Sequence, residues 1–359
     1  MNVYVLDQSF NVVDLIDDYE SIIWRPAYYD VGDFELYLNA TPKVIALLKK
    51  DYYLVRDIDI LIDEDNKITY RNVMIIKNFK LTTNTEEGDH YTVTGRELKY
   101  LLNQRIVWTQ TNLTGTAENG IRQLVTENAI EPIDGRRKIP NLILGASAGL
   151  TDTISKQVTG GQLDDAIREI CITYNYGWEV YIYDGNIVFI VYQGVNRSYN
   201  QTERPYVVFS DDFDNIHNSE YELNTESYAN MALIAGEGEG TQRIHDSIGI
   251  YLTGLERFET YVDARDISQN KDSEDEISLE DYKILLQERG KEKIAELAFT
   301  EGFTGEVLAN VNFIYGIDYY MGDTVTVINK YGISKNVMVL SVIESADENG
   351  TNLIPQFNI

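Results

Sequence analysis

The stretch YESIIWRPAYYDVGDFELYL, residues 19–38, decides how the chain is read. Ile22, Ile23 and Trp24 form a short β-prone apolar run, and Gly32 punctuates a turn. Phe34, Leu36 and Leu38 then alternate with Glu35, Tyr37 and Asn39. Period-two alternation puts every second side chain on one face, the mark of a strand with one buried side. The stretch predicts a hairpin with one oily face, the wall of a small barrel. Its chemistry alone carries no function.

Working outward, residues 1–105 predict an N-terminal β-barrel-like domain. Short strands are expected at 3–5, 12–16, 52–55, 58–62, 73–81 and 90–94, with polar turns at 63–66 and 87–89. A short helix is expected at 42–50, with Pro42 acceptable in its first turn. A second is expected to open at Gly95-Arg96-Glu97-Leu98 and run to Leu102. Residues 106–204 change character and predict an α/β domain. One amphipathic helix covers 116–128 with Ile121, Leu124 and Val125 on one side. Another follows Gly160-Gly161 and carries Leu163, Ala166, Ile167, Ile170 and Cys171 at helical spacing. Strands at 178–183 and 187–192 flank Asp184-Gly185-Asn186, a tight hairpin turn.

Residues 205–359 return to β. Strands are expected at 206–209, 221–224, 231–235, 244–251 and 257–262, then at 307–313, 324–328, 337–342 and 353–357. An exposed acidic loop is expected at 268–280 and a helix at 278–298, with Ser278 as N-cap and Glu280 and Asp281 near the positive helix end. Asn349-Gly350 is a second hairpin signal. The class is α+β, mostly β, with peripheral helices.

The net charge is −28. Nucleic-acid binding through phosphate contacts needs clustered Lys and Arg, so this chain is a poor candidate for it, and anionic lipid would repel it. Solubility is the plain reading of the charge; a wall that must not hold passing DNA is the sharper one. The 26 tyrosines suit strands and interfaces, where the ring is buried and the hydroxyl stays wet. With one cysteine, Cys171, there is no intramolecular disulfide framework or Cys-rich zinc site, and its helical apolar setting predicts a buried thiol. MNVYVLDQSF begins in strand-like alternation, so no signal peptide is expected. No apolar run approaches the roughly 20 residues needed to span a bilayer.

Candidate chemistry is sparse. His90, His217 and His245 form no helical zinc pair, and no nucleophile-elbow G-x-S-x-G occurs. The glycine-rich loop at 236–240 brings Glu237 and Glu239, which repel phosphate, so it reads as a turn. Asp211, Asp212 and Asp214 could offer oxygens to Ca²⁺ but lack the EF-hand pattern, and read as a solvated turn. Asp263 and Asp266 could pair as acid and base, but Arg265 between them favours a local ion pair. DGRRKIP, residues 134–140, is the compact basic cluster and reads as a solvated loop. The residues therefore predict no catalytic group, cofactor or metal.

Several stretches carry a resemblance. They are SIIW and YYDVGDFEL within 21–38, MIIK at 74–77, and VTGREL with the following LL at 93–102, closed by Arg105 and Ile106. VYQGVNR at 191–197, VFSDDFDNI at 208–216, NMALIAGEGEG at 230–240, GLERFETYVDARD at 254–266 and GDTVTV at 322–327 complete the set. In this order they resemble siphophage tail-hub proteins. Those are tail-tip proteins, sometimes called tail-associated lysin N-terminal modules, with a fold like the central baseplate hub of contractile phages.

The resemblance implies a homotrimer that caps the tail tube of the virion at its distal end. Two β-barrel-like domains per subunit would make a quasi-six-fold ring matching a hexameric distal tail protein, and the ring would open for DNA passage. The tape measure protein and tail fibre or receptor-binding proteins are the other implied partners. Family members often carry C-terminal lysin or sugar-binding modules; this sequence ends at Ile359 without one, which favours a structural hub and not an enzyme. The alternative is a glycan-binding or peptidoglycan-degrading tail protein, resting on Trp24, Trp108, Trp178, the tyrosines and the acidic pair Asp263 and Asp266. A phage-derived injection particle or tailocin would use the same fold.

Overall fold

In the computed structural model, residues 1–86, 88–271, 276–298, 300–307, 312–348 and 350–358 are described. The hairpin forms as its alternation predicts. Strand Ser21–Arg25 pairs antiparallel with Asp33–Asn39, placing Ile22 opposite Leu36 and Trp24 opposite Phe34. Those four and Leu38 are buried, while Ile23 and Glu35 face solvent. Asp33–Asn39 then pairs with His90–Glu97, which pairs with Met74–Thr82. The core behind them adds Val3, Val5, Ile16, Leu54, Met74, Ile76 and Val93. Burying each such side chain contributes about 1.5–3 kcal/mol, which fixes the register.

The expected helix from Gly95 is shorter than predicted. Gly95, Arg96 and Glu97 remain in strand, and the helix is Tyr100–Asn103. Gly95 sits where a Cβ would come 1.8 Å from the Ile75 carbonyl oxygen, so close strand packing, not helix initiation, is what this glycine serves.

The first and last β regions form one sheet. Strand Ser334–Asp347 pairs along one edge with Gly350–Asn358 and along the other with Thr324–Ile328 in its first half and Ser21–Arg25 in its second. Its first half feeds a second core through Val337, Val339 and Val342, with Phe209, Phe303, Tyr319 and Phe357. Its second half places Ala346 in the N-terminal core. Among the described residues, eleven of the thirteen strands follow an open path from Ile216–Asn224 to Val12–Ile16, and Thr324–Ile328 and Val208–Ser210 branch from Ser334–Asp347. No closed ring of strand pairing forms among the described residues; a strand shared by two cores joins them edge to edge where separate barrels were expected. Asn349 of the second hairpin signal, Glu87 of the 87–89 turn, 272–275 of the acidic loop and 308–311 of the expected strand at 307–313 lie outside the described residues.

The α/β region holds a five-stranded sheet. Gly177–Tyr183 and Asn186–Tyr192 make the predicted hairpin, with Asp184 and Gly185 at φ 48° and 77°. Leu142–Leu144 adds in parallel. Ile68–Tyr70 and Ile60–Ile62, early in the sequence, complete this sheet through Ile182 opposite Tyr70. Helices Ala117–Val125 and Leu163–Tyr174 pack Ile121, Leu124, Ile167, Ile170 and Cys171 into one core with Trp178, Val180, Ile182 and Phe189. A two-stranded ribbon, Ile106–Thr116 with Thr153–Gln162, stands beside them.

A third layer pairs Met231–Ala235 with His245–Gly249 and, in parallel, Glu259–Asp263. Helix Leu279–Glu296 covers one face, packing Tyr282 and Leu286 against Ala232, Ile234 and Val262. Ser278 caps it by accepting from the Asp281 N–H, as its sequence predicts. Gly290 lets the helix approach, since a Cβ there would meet Ile234 and Ile248 within 2.7 Å.

Candidate functional site

The Tyr28-Tyr29 pair lies in the connection between the hairpin strands Ser21–Arg25 and Asp33–Asn39. Its backbone is held at both residues: Tyr28 N–H donates to Leu340 O at 2.7 Å, and the Trp178 indole N–H donates to Tyr29 O at 2.7 Å. The Tyr28 hydroxyl donates to Asn175 O and accepts from Gly194 N–H, each at 3.1 Å; the Tyr29 hydroxyl donates to the Asn175 side chain at 3.1 Å. Asn175 is the left-handed cap of helix Leu163–Tyr174. Glycines wall the Tyr28 ring. A Cβ on Gly177 would lie 2.1 Å from it, one on Gly322 2.4 Å, and one on Gly194 would strike Gly322 at 1.9 Å. Three distant parts of the chain thus meet on one aromatic ring, and burial pushes both tyrosine hydroxyls well above their ordinary pKa.

Beside this joint lies a cleft of about 1290 Å³ where the three regions converge. Charges, several of them buried, line it in partnered sets. Arg56 bonds to Asp59 at 2.5 Å and to Glu344, and its guanidinium lies 5.3 Å over the Trp24 ring. Burial works against the charged Arg56, and the two carboxylates outweigh it, so its pKa is raised. Lys99 donates to the carbonyls of Ala27 and Asp30, with Glu97 3.6 Å away. Glu97 also accepts from the Gly32 N–H at 2.9 Å, and burial raises its pKa. Arg71 pairs with Glu179 at 2.8 Å and Arg197 with Asp323 at 2.7 Å. The pairs Arg56–Glu344, Arg71–Glu179 and Arg197–Asp323 join elements remote in sequence. Each of these cations is bound to a carboxylate or carbonyl, and the arrangement holds regions together.

The residues weighed from sequence lie apart. Cys171 is buried, and burial pushes its thiol up, so it is no nucleophile. His90 stacks on Tyr37 and lies 3.0 Å from Glu20, while His217 is 3.9 Å from Asp214. No group of three or more His, Cys, Asp or Glu side chains suited to a metal occurs among the described residues. Asp211 and Asp212 sit in a short exposed turn capped by Ser210. The 236–240 loop closes against the helix, with Glu237 N–H donating to Tyr282 and its carboxylate accepting from Ser268 and Gln269. Asp263 is gripped by Arg265 and Arg243, which hold its pKa down at about 2, and Asp266 pairs with Arg289 at 2.8 Å. An acid that strong cannot donate a proton near neutrality.

Trp24 and Trp178 are fully buried; Trp108 is 64% exposed. Sequence reasoning overlooked the joint at Tyr28 and the paired charges of the cleft. The two tyrosines were visible as aromatic residues beside a turn, but the glycines that receive them are far along the chain.

A sequence model of the family described as Siphovirus ReqiPepy6 Gp37-like protein matches residues 2–357, and the chain belongs to that family. Among solved structures, it is similar to the 43 kDa tail protein of prophage MuSo2 from Shewanella oneidensis, at 11% identity and TM-score 0.60, over 99% of this chain and 98% of that one. It is also similar to a tail protein from Neisseria meningitidis MC58, at 13% identity and TM-score 0.58, over 99% and 96%. The prophage tail protein gp18 from Listeria monocytogenes EGD-e follows at 12% identity and TM-score 0.52, over 99% and 94%. The fold is therefore one found in phage tail proteins. No curated protein sequence matched the chain. No helix among the described residues is long and apolar enough to cross a membrane.

Proposed function

We propose that this chain is a structural, non-enzymatic hub at the distal end of a phage tail. Three copies form a ring that caps or extends the tail tube, joins it to the distal tail protein, the tape measure protein and the receptor-binding apparatus, and opens for DNA passage. The observation that carries this reading is end-to-end correspondence: the shared fold spans nearly the whole of this chain and nearly the whole of the tail proteins it resembles. The cleft supports it, since its charges act as braces between regions. Three chains at −28 carry −84, and part of that charge facing the channel would keep DNA from adhering.

Negative-stain imaging with and without the hexameric distal tail protein tests the hub. Three-fold rings, alone or on the partner, are the expected result; a monomer that ignores the partner would sink it. The alternative, a glycan-binding or peptidoglycan-degrading tail protein, is tested by incubation with purified peptidoglycan. The expected outcome is no release of soluble fragments.

A further inference from the structure

The basic segment at 134–140, expected as a solvated loop, is largely exposed and held in a defined turn. Gly135–Arg137 forms a single tight turn whose N-cap, Asp134, accepts from the Arg136 N–H and side chain. Ile139 is buried, and its N–H donates to Ala129 O at 2.8 Å. Arg137 donates to Ile106 O at 2.6 Å and lies 5.0 Å over the Trp108 ring, and Arg105 donates in turn to Arg137 O. Arg105 and Arg137 are like charges drawn together by backbone carbonyls. No carboxylate among the described residues lies within ion-pair distance of Arg105, Arg137 or Lys138. In a chain with 58 acidic and 30 basic side chains, such an uncompensated cluster is out of character. Apolar surface accompanies it: Trp108 is 64% and Ile133 92% exposed. Arg and Trp around a small apolar centre are the residue types that dominate protein contacts.

We propose that this island of Arg105, Arg136, Arg137 and Lys138 around Trp108 and Ile133 docks on a carboxylate-rich surface of a second copy of this chain. The occupant follows from charge. Copies at −28 repel one another unless their contact offsets charge locally, and an acidic surface is what every copy offers. The contact is heterologous, island to acidic surface, and repeats around a ring. A free polyanion is disfavoured because it meets the same net negative field with no apolar contact to compensate. The proposal rests on the ring reading above.

The test mixes ordinary and ¹⁵N-labelled full-length chains and treats them with a zero-length carbodiimide, which joins an amine to a touching carboxylate. Mixed-isotope links from Lys138 to an Asp or Glu are expected. Imaging and sedimentation of the double variant Arg136→Glu, Lys138→Glu and of Trp108→Ala should show assembly about tenfold weaker, while the melting curve keeps its single cooperative transition. Rings that form undiminished in these variants, with no Lys138 link between copies, overturn the island and leave the ring standing. A wild-type chain that stays monomeric at every concentration overturns both.

Discussion

The Tyr28 hydroxyl satisfies both a carbonyl and an N–H inside a slot walled by glycines, whereas the buried Tyr319 hydroxyl has no hydrogen-bond partner among the described residues. Removing a hydroxyl that satisfies buried partners costs about 1–3 kcal/mol, and removing an unpartnered one costs little. Tyr28→Phe should therefore lower the melting temperature clearly more than Tyr319→Phe; equal shifts would refute the slot. Gly322→Ala adds strain, because Gly322 has φ 86° and its new methyl meets the Tyr28 ring; a loss of about 1–3 kcal/mol is expected in chemical denaturation. Asp263 gives a pH prediction. Its folded pKa is depressed from 3.8 to about 2, so its stabilisation is present above 3.8 and is lost as pH falls through 2. A carboxyl-carbon NMR titration should place its midpoint near 2, and Arg265→Ala should raise it. At this scale the sequence was legible where a residue acts on its neighbours, as with Arg265 on Asp263 or Ser278 on Asp281. It was silent where partners are remote: Tyr28 meets Asn175, 147 positions away.

Helix Leu279–Glu296 is anchored away from its own sheet by Lys156, which bonds to Glu292 at 2.5 Å and Glu169 at 3.0 Å. Lys156 and Glu292 are nearly inaccessible, and breaking a buried pair from one side costs about 3–5 kcal/mol. Lys156→Ala should release the helix, seen as faster amide hydrogen exchange over residues 279–296; unchanged exchange would mean that the packing of Tyr282 and Leu286 suffices. The helix was readable because its cap and first turn are local signals. The ribbon Ile106–Thr116 with Thr153–Gln162 was not, beyond its first residues. Its sequences, IVWTQTNLTGT and TISKQVTGGQ, are rich in Thr, Gln, Asn and Gly and show little alternation, because a two-stranded ribbon has free edges and no continuous buried face. Strand Ser334–Asp347 showed its apolar stretch but not its length, because its second half is buried by a partner strand more than 300 residues earlier.

The whole molecule is sewn across its sequence divisions. The boundary near residue 105 suggests a domain that could stand alone, yet its strand Ser21–Arg25 pairs with Ser334–Asp347 and its strand Ile68–Tyr70 completes the α/β sheet. A fragment of residues 1–105 should therefore lack a cooperative melting transition in circular dichroism, while the full chain shows one; a cooperatively folded fragment would restore the independent barrel. By itself the sequence determined the mostly β class, the family resemblance, the hairpin at its centre, the capped helix and the acidity, because alternation, capping and charge are properties of neighbouring residues. Only the tertiary structure decided that the β regions share one open sheet, that Tyr28 is their joint, and that the basic turn is locked against Trp108. Each of those depends on which distant backbones approach closely enough to exclude water, and no local pattern encodes that.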